Sequence, residues 1–399
     1  MEQAASFNRR AERPRVVTFV DFLSLVGGAE HLAFLIATRL NPDRFESILC
    51  VSRWPPPPSI YAPDVSAEQA LEQLKDSGVR FLPLGRRRKV DFRALARFER
   101  FLRREQVDVL HAHKFGSNVW GTIVGRMARV PVVLAHEHTW SYVGQPLRRF
   151  LDRELIARGS DRFIAVSRED RRRMTDVEGI DPRRTLFIPN GVLPPPPPSG
   201  RDVRAELGIE PDVPVIGTVG VFRPQKALHV LLRAATMLAG DWPGLRVLMV
   251  GDGPERVALE RMASELGVQE TVCFLGARHD VSDVLQALDL AVCCSDFEGS
   301  PLAVMEYMDA ALPVVATAVG GVPDLIEDRV HGLLVPPGDP AALAGAVSEL
   351  LGDPQRARAM GALGQERRRT EFDIDGLVGR LEDLYSELLA QRPRPITHG

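Results

Sequence analysis

The feature that most constrains the fold is a regular alternation of short apolar runs with longer amphipathic segments, repeated on both sides of five consecutive prolines. The runs Val16–Val20 and Val107–His111 belong to the first series, and the same order resumes at Val215–Val219. Strands that alternate with helices predict βαβ units, in which helices cover both faces of a parallel sheet. The prolines Pro194–Pro198 cannot lie inside a helix or a sheet, so they predict a boundary between two such domains.

The length of the chain agrees with two domains. Its 399 residues suit two domains of about 150–200 residues each, and a hydrophobic content of 45% supplies two cores. We therefore expect an α/β protein with two Rossmann-like, doubly wound domains facing a central cleft. The predicted division is 1–192 for the N-terminal domain, 193–200 for a proline-rich linker and 201–375 for the C-terminal domain. Residues 376–399 contain a one-sided apolar stripe, which predicts a helix that packs back towards the N-terminal domain.

Charge is distributed unevenly between the two halves. Residues 1–200 carry 32 Lys and Arg against 23 Asp and Glu, a net charge of +9, whereas residues 201–399 carry 18 against 30, a net charge of −12. A basic half favours an anionic partner, such as a phosphorylated or lipid-linked substrate, an acidic membrane surface or nucleic acid. A basic solvated surface without a partner fits the composition equally well. We do not expect nucleic acid, because no recognition motif accompanies the charge.

Cysteine usage and hydropathy indicate where the protein works. The four cysteines have neither disulfide nor metal spacing, which favours a reducing compartment. The chain shows no apolar signal segment and no long uninterrupted apolar run, so we expect a cytoplasmic protein. Contact with a membrane would then be peripheral, at its inner face. The basic run Arg86–Lys89 and the helix after it are either a solvated surface or a contact for anionic lipid.

The densest group of chemically informative residues lies in the segment DFEGSPLAVMEYM, which follows a buried apolar run. Ser300 suits a helix N-cap, Pro301 suits the first helical position, and Gly299 lets the backbone approach a ligand closely. The free N–H groups of such a helix terminus bind pyrophosphate. Glu298 stands before this helix and Glu306 inside it, so we expect one acid to hold sugar hydroxyls and the other to hold ribose hydroxyls.

This segment resembles the acid–seven residues–acid motif of retaining GT-B glycosyltransferases of family 4, also called glycosyl transferases group 1. Further stretches are similar to that family in the same order: VGGAEHL, VDVLHAH, FIAVS, IPNGV, GTVGVFRPQKALHVLL, VGDGPER and PVVATAVGGVPDLI. The resemblance covers the chain from Arg15 to Leu389. It implies a hexosyltransferase-like, metal-independent enzyme that moves a sugar from a nucleotide sugar to a glycan, lipid-linked or small-molecule acceptor. The nucleotide sugar is then a co-substrate, and no cofactor is expected.

The resemblance also implies roles for individual residues. Lys226 matches the lysine that pairs with the diphosphate of the donor, where its charge stabilises the leaving phosphate. Glu306 matches the acid that takes the ribose hydroxyls, and Glu298 the acid that binds the transferred sugar or assists catalysis. His113, in LHAH, matches a histidine near the reacting sugar, and His111 is expected to be structural.

Further donor contacts are expected from backbone and side-chain groups of both halves: Gly27, Gly28, Arg223, Arg278, Gly299, Ser300, Pro301 and Leu302. The backbone of Gly27 and Gly28 could meet the acceptor instead of the diphosphate. Of these, Arg278 is expected near the base. One position departs from the family pattern, because Val221 stands where an arginine usually follows the glycine of the phosphate loop. Either Arg223 reaches the phosphate by another path, or phosphate binding depends on Lys226 and backbone amides.

Three alternatives stay open. The cluster His136, Glu137 and His138 could suggest a metal site, but it lacks the HExxH spacing, so we expect no metal. A nucleotide-sugar epimerase has a similar two-domain fold, although the spacing of Glu298 and Glu306 favours a transferase. A non-catalytic nucleotide-sugar-binding protein is the third, suggested by Val221 and opposed by the presence of both acids and the lysine.

Overall fold

The structure of the chain is a computed structural model that describes residues 13–25, 28–55, 65–88, 90–139 and 145–391. It divides into two compact units. The first unit comprises Met1–Gly191 together with Ile374–Gly399, and the second comprises Val192–Asp373. Gly27 lies outside the described residues, so its expected contact with the donor stays a prediction.

The first unit is built on one parallel sheet. Its described strands are β1 Arg15–Val20, β2 Glu46–Val51, β3 Arg80–Pro83, β4 Val109–His113, β5 Val132–Glu137, β6 Arg162–Ala165 and β7 Thr185–Phe187. Their order across the sheet is β3-β2-β1-β4-β5-β6-β7. The chain moves outward from β1 to β3 and then returns to the other side of β1 with β4. This reversal opens a crevice at the carboxyl ends of β1 and β4, where open α/β sheets bind their ligands.

Helices connect these strands and cover the sheet, so the central strands β4 and β5 are buried along their whole length. The described helices of this part of the chain are α1 Gly28–Arg39, α2 Val65–Asp76, α3 Phe92–Arg104, α4 Lys114–Met127, α5 Pro146–Phe150 and α6 Arg168–Arg172. Two of them continue in π-helical geometry, α5 as Leu151–Ala157 and α6 as Arg173–Val177.

The second unit repeats the same topology. Its described strands are β8 Val215–Val219, β9 Arg246–Val250, β10 Val272–Gly276, β11 Leu290–Cys293, β12 Val314–Thr317 and β13 Gly332–Val335. They lie in the order β10-β9-β8-β11-β12-β13, so the reversal falls between β8 and β11. Its helices are α7 Val203–Glu206, α8 Leu228–Asp241, α9 Arg256–Glu265, α10 Val281–Ala287, α11 Leu302–Asp309, α12 Val322–Leu325, α13 Pro340–Leu351 and α14 Pro354–Glu371.

The cores of the second unit follow from the alternation of side chains along each strand. In β9, Val247 and Met249 join the cluster that α8 and α13 cover, whereas Leu248 and Val250 join the cluster that α10 and α11 cover. Successive side chains of a strand point to opposite faces of the sheet. An uninterrupted apolar strand is therefore stable only where helices cover both faces, as the sequence predicted.

The proline-rich segment lies along the second unit. Ser199 and Gly200 donate hydrogen bonds to Asp283 at 2.9 and 3.0 Å, and Ser282 donates to the carbonyl of Pro196 at 2.8 Å. Because Asp283 and Ser282 belong to α10, these bonds fix the segment against that helix. Residues 193–200 are thus part of the second unit in the structure.

The last helix, α15 Ile374–Ala390, belongs to the first unit. Its Glu382 accepts hydrogen bonds from the backbone N–H of Asn41 at 2.6 Å and from Arg44 at 2.8 Å. The ring of Tyr385 packs edge-on against Phe45. Among the described helices, none combines the length and the hydropathy needed to cross a bilayer.

Candidate functional site

An ion pair connects the two loops at the reversal point of the second sheet, between β8 and β11. Lys226 lies in the loop after β8 and Glu298 in the loop after β11, and the Lys226 ammonium donates to Glu298 Oε1 at 2.7 Å. The same loops are joined by Asp296 N–H, which donates to the carbonyl of Gln225 at 2.8 Å. The Cys294 thiol donates to the carbonyl of Lys226 at 3.3 Å. The structure therefore brings the two predicted residues together where this type of sheet binds ligands.

Local backbone geometry fixes the position of Lys226, and a neighbouring charge keeps its ammonium group protonated. The residue ends a short 3₁₀ turn, and Ala227 after it adopts a left-handed conformation with φ of 46° that leads into α8. Burial by itself would lower the pKa of Lys226, but the adjacent Glu298 carboxylate outweighs it and the pKa lies above its ordinary value. The ammonium consequently stays charged at physiological pH.

Glu298 is buried and has a second partner. The Ser295 hydroxyl donates to the same Glu298 Oε1 at 2.7 Å, so one carboxylate oxygen is held by a hydroxyl and an ammonium. The Glu298 loop also packs closely against Gly320, which follows β12. A Cβ on Gly320 would lie 1.6 Å from the Glu298 carbonyl oxygen. The geometry gives Glu298 the immediate task of orienting Lys226, and its predicted contact with the transferred sugar stays a prediction.

Helix α11 begins at this same edge of the sheet. It starts at Leu302 with Pro301 in the N-cap position, one residue later than the sequence predicted for Ser300 and Pro301. Gly299 and Ser300 are buried in the loop that leads into it. The N–H groups of such a helix start favour anions.

One turn further along α11, Tyr307 fixes the end of strand β8. Its hydroxyl accepts a hydrogen bond from the N–H of Val219 at 2.7 Å. The helix is therefore tied to the strand that leads to Lys226. Sequence reasoning missed both Tyr307 and Ser295, since neither residue type signals such a supporting role without the fold.

Glu306 lies on α11 near the ion pair. Burial raises its pKa to about 7, the charge of Lys226 acts in the opposite direction, and Asp309 adds to the increase. The carboxyl is therefore about half ionised at neutral pH. An ionised carboxylate at this position can accept hydrogen bonds from a pair of hydroxyl groups.

A small open pocket lies beside these residues, lined in part by Gly220, Val221, Lys226 and Tyr307. Its wall depends on a close backbone approach, because a Cβ on Gly251 would lie 1.9 Å from the Gly220 carbonyl oxygen. This contact explains the glycine that opens the GDGPER stretch. Val221, which replaces the usual arginine, is thus part of the pocket wall.

Two predicted donor residues lie elsewhere in the second unit. The side chain of Arg223 is exposed and is not among the described residues that line the pocket. Arg278 forms ion pairs with Asp280 at 2.6 Å and Glu206 at 3.0 Å, and the hydrogen bonds to these acids raise its pKa. These pairs connect α7 to the loop before α10. A donor-binding role for either arginine stays a prediction.

The first unit gathers four histidines on β4, on β5 and directly after β5, of which His111, His113 and His136 are buried and His138 is half-buried. His113 lies beside His136 in the parallel register, and His111 and His138 flank them. Ring centroids of neighbouring members lie 4.3 to 5.3 Å apart. His111 Nδ1 lies 2.7 Å from the Tyr385 hydroxyl, and His113 Nδ1 lies 3.1 Å from His138 Nε2. The structural role expected of His111 agrees with the first contact.

These surroundings keep His113 neutral. Burial, followed by the neighbouring imidazoles, lowers its pKa well below the usual range. One nitrogen of each of His111, His113 and His136 lies within 4.8 Å of the others, a grouping that could hold a metal ion. Chain spacing alone could not show this, because the pairing of β4 with β5 brings His136 into place. The expectation of no metal stays a prediction.

The first unit also has an ion pair at its own reversal point, which the sequence reasoning missed. The ammonium of Lys114, the first residue of α4, lies 2.5 Å from the carboxylate of Glu30 in the first turn of α1. A signal was available, because the chain has only four lysines against 46 arginines and Lys114 is one of them. Gly28, predicted to contact the donor, is exposed at the start of α1.

Two family models match the chain. Glycosyltransferase Family 4 matches residues 26–194, and Glycosyl transferases group 1 matches residues 200–367. The D-inositol 3-phosphate glycosyltransferase of Nocardia farcinica is 35% identical over 276 residues, which are 64% of this chain and 61% of that protein. The enzyme of the same name from Geodermatophilus obscurus is 32% identical over 318 residues, 72% of this chain and 69% of that protein.

Solved structures agree in fold. Anabaena Alr3699/HepE in complex with UDP and glucose superimposes with a TM-score of 0.77 at 22% identity, covering 94% of this chain and all of that one. Sucrose-phosphate synthase from Thermosynechococcus elongatus gives a TM-score of 0.76 at 22% identity, covering 95% of this chain and all of that one. The topology of the two sheets, the ion pair beside α11 and these relatives lead to one assignment. The chain is a glycosyltransferase with the GT-B fold and belongs to glycosyltransferase family 4, the glycosyl transferases group 1.

Proposed function

We propose that the enzyme transfers a hexosyl group from a nucleotide sugar to an acceptor with retention of anomeric configuration and without a metal ion. The observation that carries this proposal is the Lys226–Glu298 ion pair at the reversal point of the second sheet, next to the start of α11. A fixed cation beside a helix N-terminus suits the diphosphate of a nucleotide sugar. UDP-glucose is the donor to test first, because the structurally similar Anabaena protein has been solved in complex with it.

The chemistry assigned to the second unit follows from its charges. Lys226 neutralises the charge that builds up on the leaving phosphate as the glycosidic bond breaks. Glu306 in its ionised form accepts hydrogen bonds from the ribose hydroxyls. Of the three predicted backbone contacts Ser300, Pro301 and Leu302, Pro301 cannot donate a hydrogen bond, because proline has no N–H. The contacts of Ser300 and Leu302 are therefore the ones that can bind phosphate.

No side chain is assigned as the base. In a retaining transfer the leaving phosphate oxygen takes the proton of the acceptor hydroxyl, while that hydroxyl oxygen forms the new bond to the anomeric carbon. His113 is neutral, so we assign it a hydrogen-bonding role towards the sugar in place of acid–base catalysis. Its complete burial among three other imidazoles supports that choice, because such surroundings disfavour a charged ring.

The acceptor is assigned to the first unit, which contains most of the basic half of the chain. A glycan, a lipid-linked glycan and a small molecule are the candidate classes, and the named relatives are D-inositol 3-phosphate glycosyltransferases. A cytoplasmic location with peripheral contact at an anionic inner membrane face stays a prediction. An epimerase would convert the donor without any acceptor, and a non-catalytic protein would bind the donor without turnover.

The test is a screen of nucleotide sugars by thermal unfolding and by donor hydrolysis, with Lys226→Ala and Glu306→Gln. Lys75→Ala is the matched control, because Lys75 is an exposed lysine on α2 of the first unit. We expect one nucleotide sugar to protect the wild type and the control, and to protect both site variants less. The proposal fails if no nucleotide sugar protects the wild type. The anomeric proton of the product, observed by NMR, tests retention.

A further inference from the structure

Three buried histidines of the first unit carry ring nitrogens that the rest of the fold does not use. His111, His113 and His136 are each 0% exposed. Among the residues that the structure describes, none forms a hydrogen bond with Nε2 of His111, with Nε2 of His113 or with either ring nitrogen of His136. Buried polar atoms almost always have a hydrogen-bond partner, and leaving them without one costs stability. Several unpaired nitrogens gathered in one place therefore indicate a group that the protein binds.

The pairing of β4 with β5 brings these three rings together. His113 lies opposite His136 in the parallel register, and His111 lies two residues before His113 on the same face of the sheet. Their ring centroids are 4.3 to 5.3 Å apart, and one nitrogen of each ring lies within 4.8 Å of the others. A tetrahedral Zn²⁺ ion about 2.1 Å from each nitrogen would place the nitrogens about 3.4 Å apart, which requires ring rotations of about an ångström.

Two of the rings have a partner on the nitrogen that faces away from this grouping. His111 Nδ1 lies 2.7 Å from the Tyr385 hydroxyl. His113 Nδ1 lies 3.1 Å from His138 Nε2. With its proton on Nδ1, each of these rings presents the lone pair of Nε2. Metal-binding histidines are oriented in this way, because the second nitrogen donates to a neighbouring group and fixes the tautomer.

The third ring is fixed through its backbone. The Asn118 side chain donates to the carbonyl of His136 at 3.1 Å and accepts from the N–H of the same residue at 3.2 Å. Asn118 belongs to α4 and is itself fully buried. The ring of His136 therefore extends from a backbone position that both the sheet and a helix hold, as a precise ligand site requires.

The type of ligand atom selects the ion. Imidazole nitrogens suit Zn²⁺ and other transition metals, whereas Mg²⁺ and Ca²⁺ prefer oxygen ligands. Burial lowers the pKa of all three rings, so protons do not compete for the nitrogens at neutral pH. Glu137 does not belong to the set, because it points to the opposite face of β5 and pairs with Arg148 at 3.1 Å. Three nitrogens without a carboxylate or a thiolate therefore favour Zn²⁺.

We propose that Nε2 of His111, Nε2 of His113 and one ring nitrogen of His136 bind a Zn²⁺ ion, and that the bound ion inhibits transfer. The proposed reaction needs no metal, so Zn²⁺ acts at this site as an inhibitor. The inhibition rests on the proposed function, which gives His113 a hydrogen bond to the sugar. Because Nδ1 of His113 is bonded to His138, Nε2 is the nitrogen left for the sugar, and Zn²⁺ would occupy it.

The first experiment measures metal binding to the full-length protein after treatment with EDTA and dialysis. Co²⁺ is the spectroscopic probe, because a tetrahedral Co²⁺ ion absorbs visible light far more strongly than an octahedral one. We expect the absorption of tetrahedral Co²⁺ to saturate at one equivalent per chain. Zn²⁺ should then displace the Co²⁺, since nitrogen ligands bind Zn²⁺ more tightly. A competing zinc indicator gives the Zn²⁺ affinity.

The variants separate metal binding from folding. Tyr385→Phe keeps the aromatic ring and removes only the hydroxyl that contacts His111, so we expect Zn²⁺ affinity to fall by about 10–100-fold, the usual effect of losing such a partner. His136→Gln removes a ligand and should cost at least about 100-fold. His229→Gln is the matched control, because His229 is an exposed histidine on α8, and it should bind Zn²⁺ as the wild type does. Circular dichroism shows that each variant is folded.

The second experiment measures transfer at increasing Zn²⁺ concentrations. We expect saturating Zn²⁺ to reduce the rate by at least about tenfold, the effect of one lost hydrogen bond, and EDTA to restore it. UDP affinity should stay within about twofold, because UDP is assigned to the second unit. Tyr385→Phe should need about tenfold more Zn²⁺ for the same inhibition.

The outcomes separate the metal site from the function on which its inhibition rests. Absence of tetrahedral Co²⁺ absorption in the wild type overturns the site, and so does wild-type Zn²⁺ affinity in folded His136→Gln. Tight Zn²⁺ binding without loss of transfer overturns the inhibition. Nucleotide-sugar binding is measured on the same metal-free preparation, and its absence would overturn the proposed function itself.

Discussion

The Lys226 ammonium lies 2.7 Å from the Glu298 carboxylate, and this ion pair joins the two loops at the reversal point of the second sheet. The two members of the pair have different exposures and different partners. Glu298, with a side-chain exposure of 7%, is held by Ser295 and holds the lysine, whereas Lys226, at 23%, is left the more accessible group. A diphosphate that enters this crevice therefore meets a cation whose position is already fixed.

Removal of the cation should reduce the chemical step more than folding. For Lys226→Ala we expect turnover to fall by about 10²–10³-fold, the usual effect of losing a group that stabilises developing charge. Stability should fall by about 1–3 kcal/mol, because a buried carboxylate loses its partner. Steady-state kinetics and urea unfolding measure the two effects, with Lys75→Ala as control. Turnover near that of the control would remove Lys226 from the catalytic machinery.

The close packing of Gly320 against the Glu298 loop can be tested by adding a side chain at Gly320. In Gly320→Ala the added Cβ would lie 1.6 Å from the Glu298 carbonyl oxygen, so the loop must move and we expect donor affinity to fall. A loss of stability of about 1–3 kcal/mol should accompany it. Gly240→Ala in α8 is the matched control, since no atom lies within 4 Å of its added Cβ. The control should be neutral or stabilised by about 0.5–1 kcal/mol. Unchanged donor affinity in Gly320→Ala would show that the loop position does not matter.

Glu306 should make donor binding depend on pH. Its pKa of about 7 in the folded protein means that the carboxylate form, to which we assign the ribose hydrogen bonds, becomes dominant as pH rises through neutrality. We expect donor affinity to increase on the order of fivefold from about pH 6 to about pH 8, because bonds to charged groups are stronger. The measurement is calorimetric titration of UDP across this interval. Glu306→Gln should bind weakly and without this dependence, and an equal slope in the variant would contradict the assignment.

The same carboxyl should affect stability in the opposite sense. In the unfolded chain it ionises at its ordinary pKa of 4.5, whereas burial in the folded chain keeps it protonated up to about pH 7. Between these values the folded state holds more protons, so its contribution to stability falls as pH rises and is constant above about pH 7. Urea unfolding of the wild type against Glu306→Gln at several pH values measures the difference. A wild-type advantage that grows with pH would contradict the raised pKa.

Transfer should proceed without a divalent metal. We propose that Lys226 and the start of α11 neutralise the donor's diphosphate, so we expect a chelator such as EDTA to leave turnover unchanged within about twofold. Added Mg²⁺ or Mn²⁺ should not increase it. Loss of turnover on chelation, with recovery on adding Zn²⁺, would instead make an ion among the buried histidines His111, His113 and His136 necessary for transfer.

Local pattern was sufficient to predict the two units. The alternation of apolar strands with helices predicted two doubly wound units, because such strands are stable only between layers of helices. Glu298 and Lys226 were selected from short motifs that follow predicted strands and resemble those of the family; the structure brings the two side chains together, and their roles towards a donor stay predictions. The predicted start of α11 was one residue too early, because Pro301 suits both the N-cap position seen here and the first helical position.

The contacts that local pattern could not give are those between distant segments. His136 reaches His113 only through the pairing of β5 with β4, and Lys114 reaches Glu30 across 84 positions of sequence. Arg278 was expected near the base of the donor, and its ion pair with Glu206 from α7 was not predicted. Such partners depend on which strands become neighbours, and that order is set by the whole sheet.

The measurement that tests the central claim most directly is calorimetric titration of UDP and of uridine into the wild type and Lys226→Ala. The wild type should bind UDP at least about tenfold more tightly than uridine, since the diphosphate adds the contacts of Lys226 and α11. In Lys226→Ala this preference should largely disappear, while Lys75→Ala keeps it. Equal binding of UDP and uridine by the wild type, or an undiminished preference in Lys226→Ala, would contradict the account of the donor site.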